Sequence, residues 1–293
     1  MSILPQHHHL QHAAATTGHH HHHRNRHVYC TATPPNTRPK LQKLVANTTP
    51  VITQPKLDVD PSLKSTWLHR AWLTTGSTTV VLSLANSIIG SIDSHIWLEP
   101  VLSGFAGYLF SDLATGIYHW GIDNYGDAST PLIGAQCDMA LGHHKWPWKI
   151  TKRQVANNLH LLAGGVTFTM LPINLIYHDQ PVVMGFLGVA SGCVMFSQQF
   201  HAWAHGTKSK LPPIVVALQD AGVLLSPSHH VGHHTPPYKN YCIVSGVWDR
   251  FLDKHRVYEA LEMAVFRKFG LRPRSWREPT DHDCMVEAEA SPP

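Results

Sequence analysis

An all-α integral membrane protein is predicted: a helical bundle of about four transmembrane helices, with a histidine-rich metal site on one membrane face. Three observations indicate it. Four long apolar segments alternate with polar connections, histidines concentrate beside the ends of those segments, and few residues are charged. Charged residues make up 14% of the 293, against about 25% in an average soluble domain.

Four segments carry no charge or a single acid: 71–92, 100–118, 161–177 and 181–200. The first is 22 residues long, which is enough for a helix to cross a hydrocarbon core. The one acid is Asp112, in the second segment, and Pro172 interrupts the third. Only residues 178–180 separate the last two, which predicts a tight helical hairpin. A soluble all-α core with unusually apolar helices is the alternative.

The charge distribution predicts the topology of these segments. If all four cross the membrane, the chain before residue 71, the 119–160 connection and everything after 200 share one side. The basic residues on that side include Arg70, Lys149, Lys152, Arg153, Lys208 and Lys210. The turns near 93–99 and 178–180 carry acids but no Lys or Arg. The positive-inside rule places the basic side in the cytoplasm or its organellar equivalent. The later stretch 211–226 is interrupted by Gln219 and Asp220, so it is predicted to be interfacial.

Residues 1–57 differ in composition from the rest of the chain. They carry six basic residues and no acid, and they are rich in His, Thr and Pro. This composition is typical of an organelle transit peptide; a disordered tail that stays attached is the alternative. The expected domains are then a disordered transit-like segment at 1–57, a membrane domain at 65–280 and a flexible acidic tail at 281–293. Beyond residue 57 there are 17 basic and 19 acidic residues, so nucleic-acid binding has no electrostatic support.

Eight histidines outside the N-terminal segment gather on the predicted common side: His119, His143, His144, His201, His205, His230, His233 and His234. His201 and His205 are four residues apart, so on a helix they share a face. The spacing 230, 233 and 234 predicts three imidazoles on one face in the same way. Neutral imidazole is a good ligand for iron, zinc or copper. Eight ligands exceed one tetrahedral zinc site, which indicates two metal ions. The alternative is a pH-sensitive surface patch, but packed cationic imidazoles would repel one another.

Further residues are predicted to support the ligands from a second shell: Asp112, Asp123, Asp220, His229 and His160. A ligating imidazole usually donates its other N–H to a carboxylate or a carbonyl. Asp123 is four residues after His119 and Asp112 seven before it, so both can share its helix face. Asp220 is near the last cluster in sequence. His229 lies beside the 230–234 face and is predicted to have a second-shell or a surface role. His160 has two interpretations: a helix-start or interfacial residue, or a residue that takes part in the ligand set.

The motifs that carry these histidines resemble those of the lipid desaturases: YHWGID at 118–123, GHHKWP at 142–147, QFHAWAH at 199–205 and HVGHH at 230–234. That family includes the plasmanylethanolamine desaturases and acyl-lipid desaturases of plant chloroplasts. The plant branch is the closer match, through DNYGD at 123–127, GTKSKLPP at 206–213 and YCIVSG at 241–246. The resemblance covers roughly residues 65–280.

The resemblance implies an oxidoreductase with two Fe ions (di-iron) bound by the eight histidines, and no catalytic side chain beyond the metal centre. It implies O2 as co-substrate, ferredoxin as electron donor and a multi-pass location in the thylakoid or envelope membrane. The implied product carries a trans double bond at carbon 3 of sn-2 palmitate in phosphatidylglycerol. Basic residues near the site either contact this anionic head group or only set the topology: Lys149, Lys152, Arg153, Lys208 and Lys210.

Two other functions remain open at this point. A hydroxylase or an ether-lipid (plasmanyl) desaturase would use the same site. A metal-binding transporter or scaffold would not be an enzyme, but a transporter needs polar ligands near the middle of the membrane. The predicted ligands lie at one end of the spans instead.

Overall fold

Four long helices form the bundle: α1 (Trp67–Ser94), α2 (Leu98–Asn124), α5 (Val155–Tyr177) and α6 (Pro181–Ala204). The structure is a computed structural model that describes residues 60–276, and within that range it contains helices and no strands. The all-α prediction is therefore confirmed. The segments predicted at 1–57 and 281–293 lie outside the described residues.

The helix ends follow local sequence signals. The Thr66 hydroxyl accepts from the backbone N–H of His69 at the start of α1, and His69 Nδ1 accepts from the backbone N–H of Thr66. This reciprocal cap satisfies two donors that a helix start leaves unpaired. Pro181 begins α6, a position where its missing N–H costs nothing. Tyr177 and Pro181 are separated by three residues, which confirms the predicted hairpin.

Three of the four long helices are long and apolar enough to cross a membrane: the stretch Pro61–Ser94 that contains α1, then α5 and α6. Helix α2 has a comparable length of 27 residues but is more polar, since it contains Glu99, Asp112, His119 and Asp123. The expectation of about four spans thus becomes three apolar spans and one helix of matching length that carries site residues.

Small residues allow the long helices to pack closely. A Cβ on Gly76 would lie 2.8 Å from the carbonyl oxygen of Ala163 in α5, and a Cβ on Gly107 of α2 would collide with the Phe186 carbonyl of α6. Hydroxyls bond across the same interfaces, as Ser87 Oγ does to the Pro181 carbonyl at 2.7 Å. Large apolar side chains such as Phe105 and Phe168 point outward, 59% and 71% exposed. Small or polar groups inside and apolar ones outside are the pattern of a bundle in lipid.

The predicted common side is assembled from helix ends. The backbone N–H of Gln154 bonds the Leu63 carbonyl at 3.0 Å, which joins the starts of α5 and α1. Asn158 Nδ2 bonds the Gln198 carbonyl at 2.9 Å, which joins the start of α5 to the last turns of α6.

Six short helices occupy the connections at this end in the described part of the chain: α3 (Gly134–Lys145), α4 (Lys149–Lys152), α7 (Pro213–Asp220), α8 (Pro227–His230), α9 (Asp249–Lys254) and α10 (Val257–Phe269). Within the stretch predicted to be interfacial, only the eight residues of α7 are helical, and the chain turns at Gly222 with φ +71°. These connections supply most of the histidines described next.

Candidate metal centre

Two groups of side chains offer clustered ligand atoms. The five-histidine group contains His143, His201, His205, His230 and His234. The aspartate-containing group contains His119, Asp123, His144 and His233. Within each group, the ligand atoms all lie within 4.8 Å of one another. All eight histidines singled out from the sequence therefore meet at one end of the bundle.

In the five-histidine group the Nε2 atoms face one another. His205 Nε2 lies 3.3 Å from that of His201, 3.0 Å from that of His230 and 3.2 Å from that of His234. The ring of His143 stands nearly perpendicular to those of His201 and His205, with centroids 4.4 and 4.5 Å away. The group is thus a shell of imidazoles around a common centre.

In the aspartate-containing group, one carboxylate oxygen lies among three rings. Asp123 Oδ2 is 3.2 Å from His119 Nε2, 3.1 Å from His144 Nε2 and 3.1 Å from His233 Nε2. The Nε2 atoms of His144 and His233 are 3.2 Å apart. The two groups adjoin, since the His119 and His201 ring centroids are 5.4 Å apart.

Helix geometry explains part of this arrangement. His201 and His205, at the end of α6, point into one group, as their spacing predicts. His119 and Asp123 are likewise four residues apart near the end of α2. Adjacent residues on a helix point about 100° apart, which is why His143 and His144 at the end of α3 reach different groups.

The prediction for 230–234 is only partly right. His230 and His234 do share a group, with Nε2 atoms 3.2 Å apart, but His233 belongs to the other group. The chain is not one α-helix here, because α8 ends at His230 and a 3₁₀ turn covers Val231–His233. The tighter turn changes the direction of each side chain, so this short segment supplies both groups.

Burial keeps these imidazoles neutral and available as ligands. Burial, reinforced by neighbouring rings, lowers the pKa of His205 to about 4. It also lowers the pKa of His233 to about 3, although Asp123 opposes part of this shift. The pKa values of His143 and His230 are held well below the ordinary range for the same two reasons. At neutral pH these rings present lone pairs, which the alternative of a protonated surface patch would not.

The donor atoms fit bound metal ions better than hydrogen bonding alone. Both ring nitrogens of His143 and the Oδ1 atom of Asp123 are buried without a hydrogen-bond partner among the described residues, and such groups are costly unless satisfied. Metal–ligand bonds of about 2.0–2.1 Å place neighbouring donors about 3.0–3.4 Å apart, and the distances above fall in that range. An imidazole-rich set suits iron, zinc or copper.

Two of the predicted supporting residues bond to the loop 241–249, whose Tyr241 ring packs against His119 and His233. Asp112 Oδ1 accepts from the backbone N–H groups of Val244, Ser245 and Gly246 at 3.1, 2.7 and 3.0 Å. His229 Nε2 lies 2.8 Å from Asp249 Oδ2, and hydrogen bonding to this carboxylate raises the pKa of His229. Both therefore stabilise the loop through these hydrogen bonds.

Of the remaining predicted supporting residues, Asp123 belongs to a ligand group, whereas Asp220 and His160 lie outside both groups. Asp220 forms an exposed ion pair with Lys208 at 2.7 Å, so its place beside the last cluster in sequence does not carry over to space. His160 stacks on His69 with ring centroids 4.0 Å apart, and its Nδ1 lies 2.7 Å from the Asn157 carbonyl. It is a residue of the first turns of α5, at the rim of the cavity described next.

A cavity of about 240 Å³ adjoins both groups. Its lining includes His119, His143 and His201 at the metal centre and apolar residues such as Leu161 and Leu162. Of the five basic residues predicted to contact a head group, Lys149 and Arg153 line it, whereas Lys152, Lys208 and Lys210 do not. Basic side chains, ligand rings and apolar side chains therefore share one cavity.

Sequence reasoning missed Tyr241 and Asp249. The carbonyl of Tyr241 accepts from His119 Nδ1 at 3.0 Å and so fixes that ring. Asp249 is fully buried, accepts from the backbone N–H of Cys242 and bonds His229. Neither residue belongs to a spacing pattern, because each contacts its partner through tertiary structure. The one cue in the sequence was the acid Asp249 directly after the apolar stretch 241–248.

Comparisons with known proteins agree with this geometry. A family model described as a lipid desaturase domain matches residues 108–276. The chain is 58% identical over 227 residues to fatty acid desaturase 4, chloroplastic, of Arabidopsis thaliana, covering 77% of this chain and 70% of that one. It is 52% identical over 265 residues to fatty acid desaturase 4-like 1, chloroplastic, of the same plant, covering 90% and 89%. Plasmanylethanolamine desaturase of Myxococcus xanthus is 31% identical over 178 residues, covering 57% of this chain and 61% of that one. No solved structure matches the chain.

Proposed function

The chain belongs to the lipid desaturase family, and from this premise we propose that it desaturates an acyl chain of an intact membrane lipid with two iron ions bound by the eight histidines. The resemblance noted from the motifs is confirmed, and with it the assignment as an oxidoreductase. A desaturase acts on a lipid with O2, so a transporter or scaffold role is set aside.

A single observation carries the proposal: eight buried or half-buried imidazoles from four parts of the chain converge into two adjoining groups. Two groups of ligand atoms support two ions. When bound, iron supplies the reduction of O2 and the removal of hydrogen from two neighbouring methylenes, chemistry for which no side chain is reactive enough. The protein positions the ligands and the substrate, and it keeps water out.

The chain's own residues perform that positioning. The Tyr241 carbonyl accepts the Nδ1 proton of His119, so the Nε2 lone pair of that ring faces its group. Asp112 and Asp249 accept backbone hydrogen bonds that fix the loop 241–249, and Tyr241 of this loop packs against His119 and His233. Burial of these groups, with His233 fully buried and His201 only 4% exposed, excludes solvent from the centre.

The cavity supports a double bond that is introduced into the acyl chain near the lipid head group. It places Lys149 and Arg153 within the same lining as His119, His143 and His201. A phosphate beside the two cations would place the lipid ester in the same cavity as the metal centre, and carbon 3 lies close to the ester. We therefore propose an anionic lipid, phosphatidylglycerol, and a trans double bond at carbon 3 of its sn-2 palmitate. Lys152, Lys208 and Lys210, which do not line the cavity, would then only set the orientation of the helices in the membrane.

The relatives named chloroplastic support a chloroplast membrane as the location, in the thylakoid or the envelope. Each desaturation consumes electrons, and in that compartment we propose ferredoxin as their donor. The three apolar helices support membrane insertion.

The test is lipid analysis after expression of the full chain in a host that supplies ferredoxin and phosphatidylglycerol. Mass spectrometry of phosphatidylglycerol should show a trans-3 hexadecenoyl group at sn-2 with the wild-type chain, and none with His201→Ala or His234→Ala. His178→Ala is the matched control, because this exposed histidine lies at the opposite end of the bundle, and it should retain the product.

Other products would contradict the proposal in defined ways. A vinyl ether in place of the acyl product would identify an ether-lipid desaturase, which the 31% identity to a plasmanylethanolamine desaturase keeps as the second candidate. A hydroxylated acyl chain would identify a hydroxylase. Full desaturation by His201→Ala and His234→Ala would overturn the ligand assignment.

A further inference from the structure

We propose that Asp123 binds metal directly, as the fourth ligand beside His119, His144 and His233, so that the two metal positions are chemically different. This inference rests on the proposed two-metal centre and deepens it. A carboxylate that merely orients ligand rings accepts from the nitrogen that faces away from the metal. Asp123 instead lies on the inner side, where its Oδ2 atom faces three Nε2 atoms at 3.1–3.2 Å.

The hydrogen bonding of His119 requires a cation or a proton at this point. Its Nδ1 atom is 3.0 Å from the carbonyl oxygen of Tyr241, which can only accept, so Nδ1 carries the hydrogen. The Nε2 atom of the neutral ring then has a lone pair and no hydrogen. Asp123 Oδ2, 3.2 Å away, is also an acceptor. Two acceptors at this distance repel unless a positive charge lies between them.

A single proton does not satisfy the group. The same Oδ2 atom also faces His144 and His233, whose Nε2 atoms are 3.2 Å from each other. Neutral His144 and His233 can each donate an Nε2 hydrogen to Oδ2, but His119 Nε2 then still faces the carboxylate as a second acceptor, and the buried Nδ1 atom of His233 is left without a partner among the described residues. One metal ion bonds all four donor atoms together, and their separations match the edges of a coordination shell with bonds of about 2.0–2.1 Å.

The second carboxylate oxygen points to the same conclusion. Asp123 Oδ1 is buried and has no hydrogen-bond partner among the described residues, and the side chain is only 8% exposed. A buried carboxylate is stable when it is paired with a cation or binds a metal. Three imidazoles face the Asp123 carboxylate, and a metal ion bound among them would supply the positive charge.

The two metal positions then differ in charge. One has five neutral imidazoles, and the other has three imidazoles and one anion. An anionic oxygen ligand favours the more highly charged, harder ion. The ion bound by Asp123 is therefore expected to be oxidised more readily than its neighbour.

The experiment loads the purified full chain with ⁵⁷Fe and measures iron per chain and the Mössbauer spectrum at saturating iron. The wild type should bind two ions and show two different quadrupole doublets. Asp123→Asn should bind about half as much iron and lose one doublet, whereas Asp123→His, which restores a nitrogen ligand, should keep two ions and shift only that doublet. Asp93→Asn, at an exposed acid near the end of α1, is the control and should match the wild type.

The outcomes separate this inference from the proposed function. Asp123→Asn with two ions and an unchanged spectrum would overturn the inference, because an orienting residue lowers affinity but not saturated occupancy. If Asp123→Asn does not fold, Asp123→His decides: an unshifted spectrum overturns the inference and a shift of one doublet supports it. If the wild type binds a single ion that Asp123→Asn loses, the aspartate ligand stands and the two-iron function fails. If that single ion is unaffected, both fail.

Discussion

Replacing Asp112 should release the loop 241–249, whose Tyr241 packs against two ligand rings of the metal centre. This carboxylate is fully buried in α2. Its Oδ1 atom accepts three backbone N–H groups at 2.7–3.1 Å, and its Oδ2 atom accepts that of Trp248 at 3.4 Å. Asp112→Ala removes both acceptor oxygens, and with them all four hydrogen bonds, and leaves buried donors unpaired.

The expected magnitude follows from these bonds. A hydrogen bond to a charged group contributes about 1.5–3 kcal/mol, so the three short bonds amount to roughly 4–9 kcal/mol. Removing the carboxylate also removes its desolvation penalty, so the net cost is smaller, about 3–5 kcal/mol, given that each buried donor left unpaired costs about 1–3 kcal/mol. Asp112→Asn keeps an oxygen at the Oδ1 position and loses the charge and the weakest bond, which costs about 1–2 kcal/mol. At about 2–4 °C per kcal/mol for a domain of this size, the Tm should fall by roughly 10 °C for Asp112→Ala and roughly 4 °C for Asp112→Asn.

Thermal unfolding of the full chain in detergent, followed by circular dichroism, measures both shifts. Asp93→Asn is the control, since Asp93 is exposed at the end of α1, and its Tm should stay near that of the wild type. The metal affinity of Asp112→Ala should also fall, because the loop's Tyr241 carbonyl bonds His119 Nδ1. A Tm for Asp112→Ala equal to that of the wild type, or an equal loss for both variants, would refute the reasoning.

Two further predictions test the frame around the site. Gly107→Ala should destabilise the fold by about 1–3 kcal/mol and so lower the Tm, because the added Cβ would collide with the Phe186 carbonyl. Gly121→Ala, in the same helix, is the control: its Cβ would meet nothing within 4 Å, and the Tm should not fall. Arg274→Ala should lower the Tm by roughly 5 °C, because this guanidinium donates to carbonyls of the last turn of α2, including that of Asp123. The Tm of Arg274→Lys should lie between those of Arg274→Ala and the wild type. Arg250→Ala, at an exposed position, is the control and should have the wild-type Tm. An Arg274→Ala variant with the wild-type Tm would contradict this role.

Local patterns determined much of the fold. Uncharged apolar runs located the four long helices and the hairpin between α5 and α6, because lipid exposure requires an apolar stretch that is continuous along the chain. The same reasoning placed His201 and His205 together, since residues four apart on a helix share a face. It also assembled all eight ligands at one end, because antiparallel helices bring alternate ends together.

Local patterns failed where a contact joins distant parts of the chain. The sequence gives no reason why His233 should leave the group of His230 and His234, since that depends on a 3₁₀ turn at Val231–His233 and on where α2 lies. It placed Asp220 beside the cluster by proximity along the chain, whereas in space that acid pairs with Lys208.

By itself, the sequence determined that the chain is helical, that it has lipid-exposed segments and that imidazoles collect at one end of them. Only the tertiary structure decided how the ligands divide between two groups, that Asp123 faces inward, and that Asp112 holds a loop 132–136 residues further along the chain. The physical reason is that helical periodicity and hydropathy act over a few neighbouring residues. The direction in which a side chain meets a partner from another element is set by packing, which no short stretch of sequence contains.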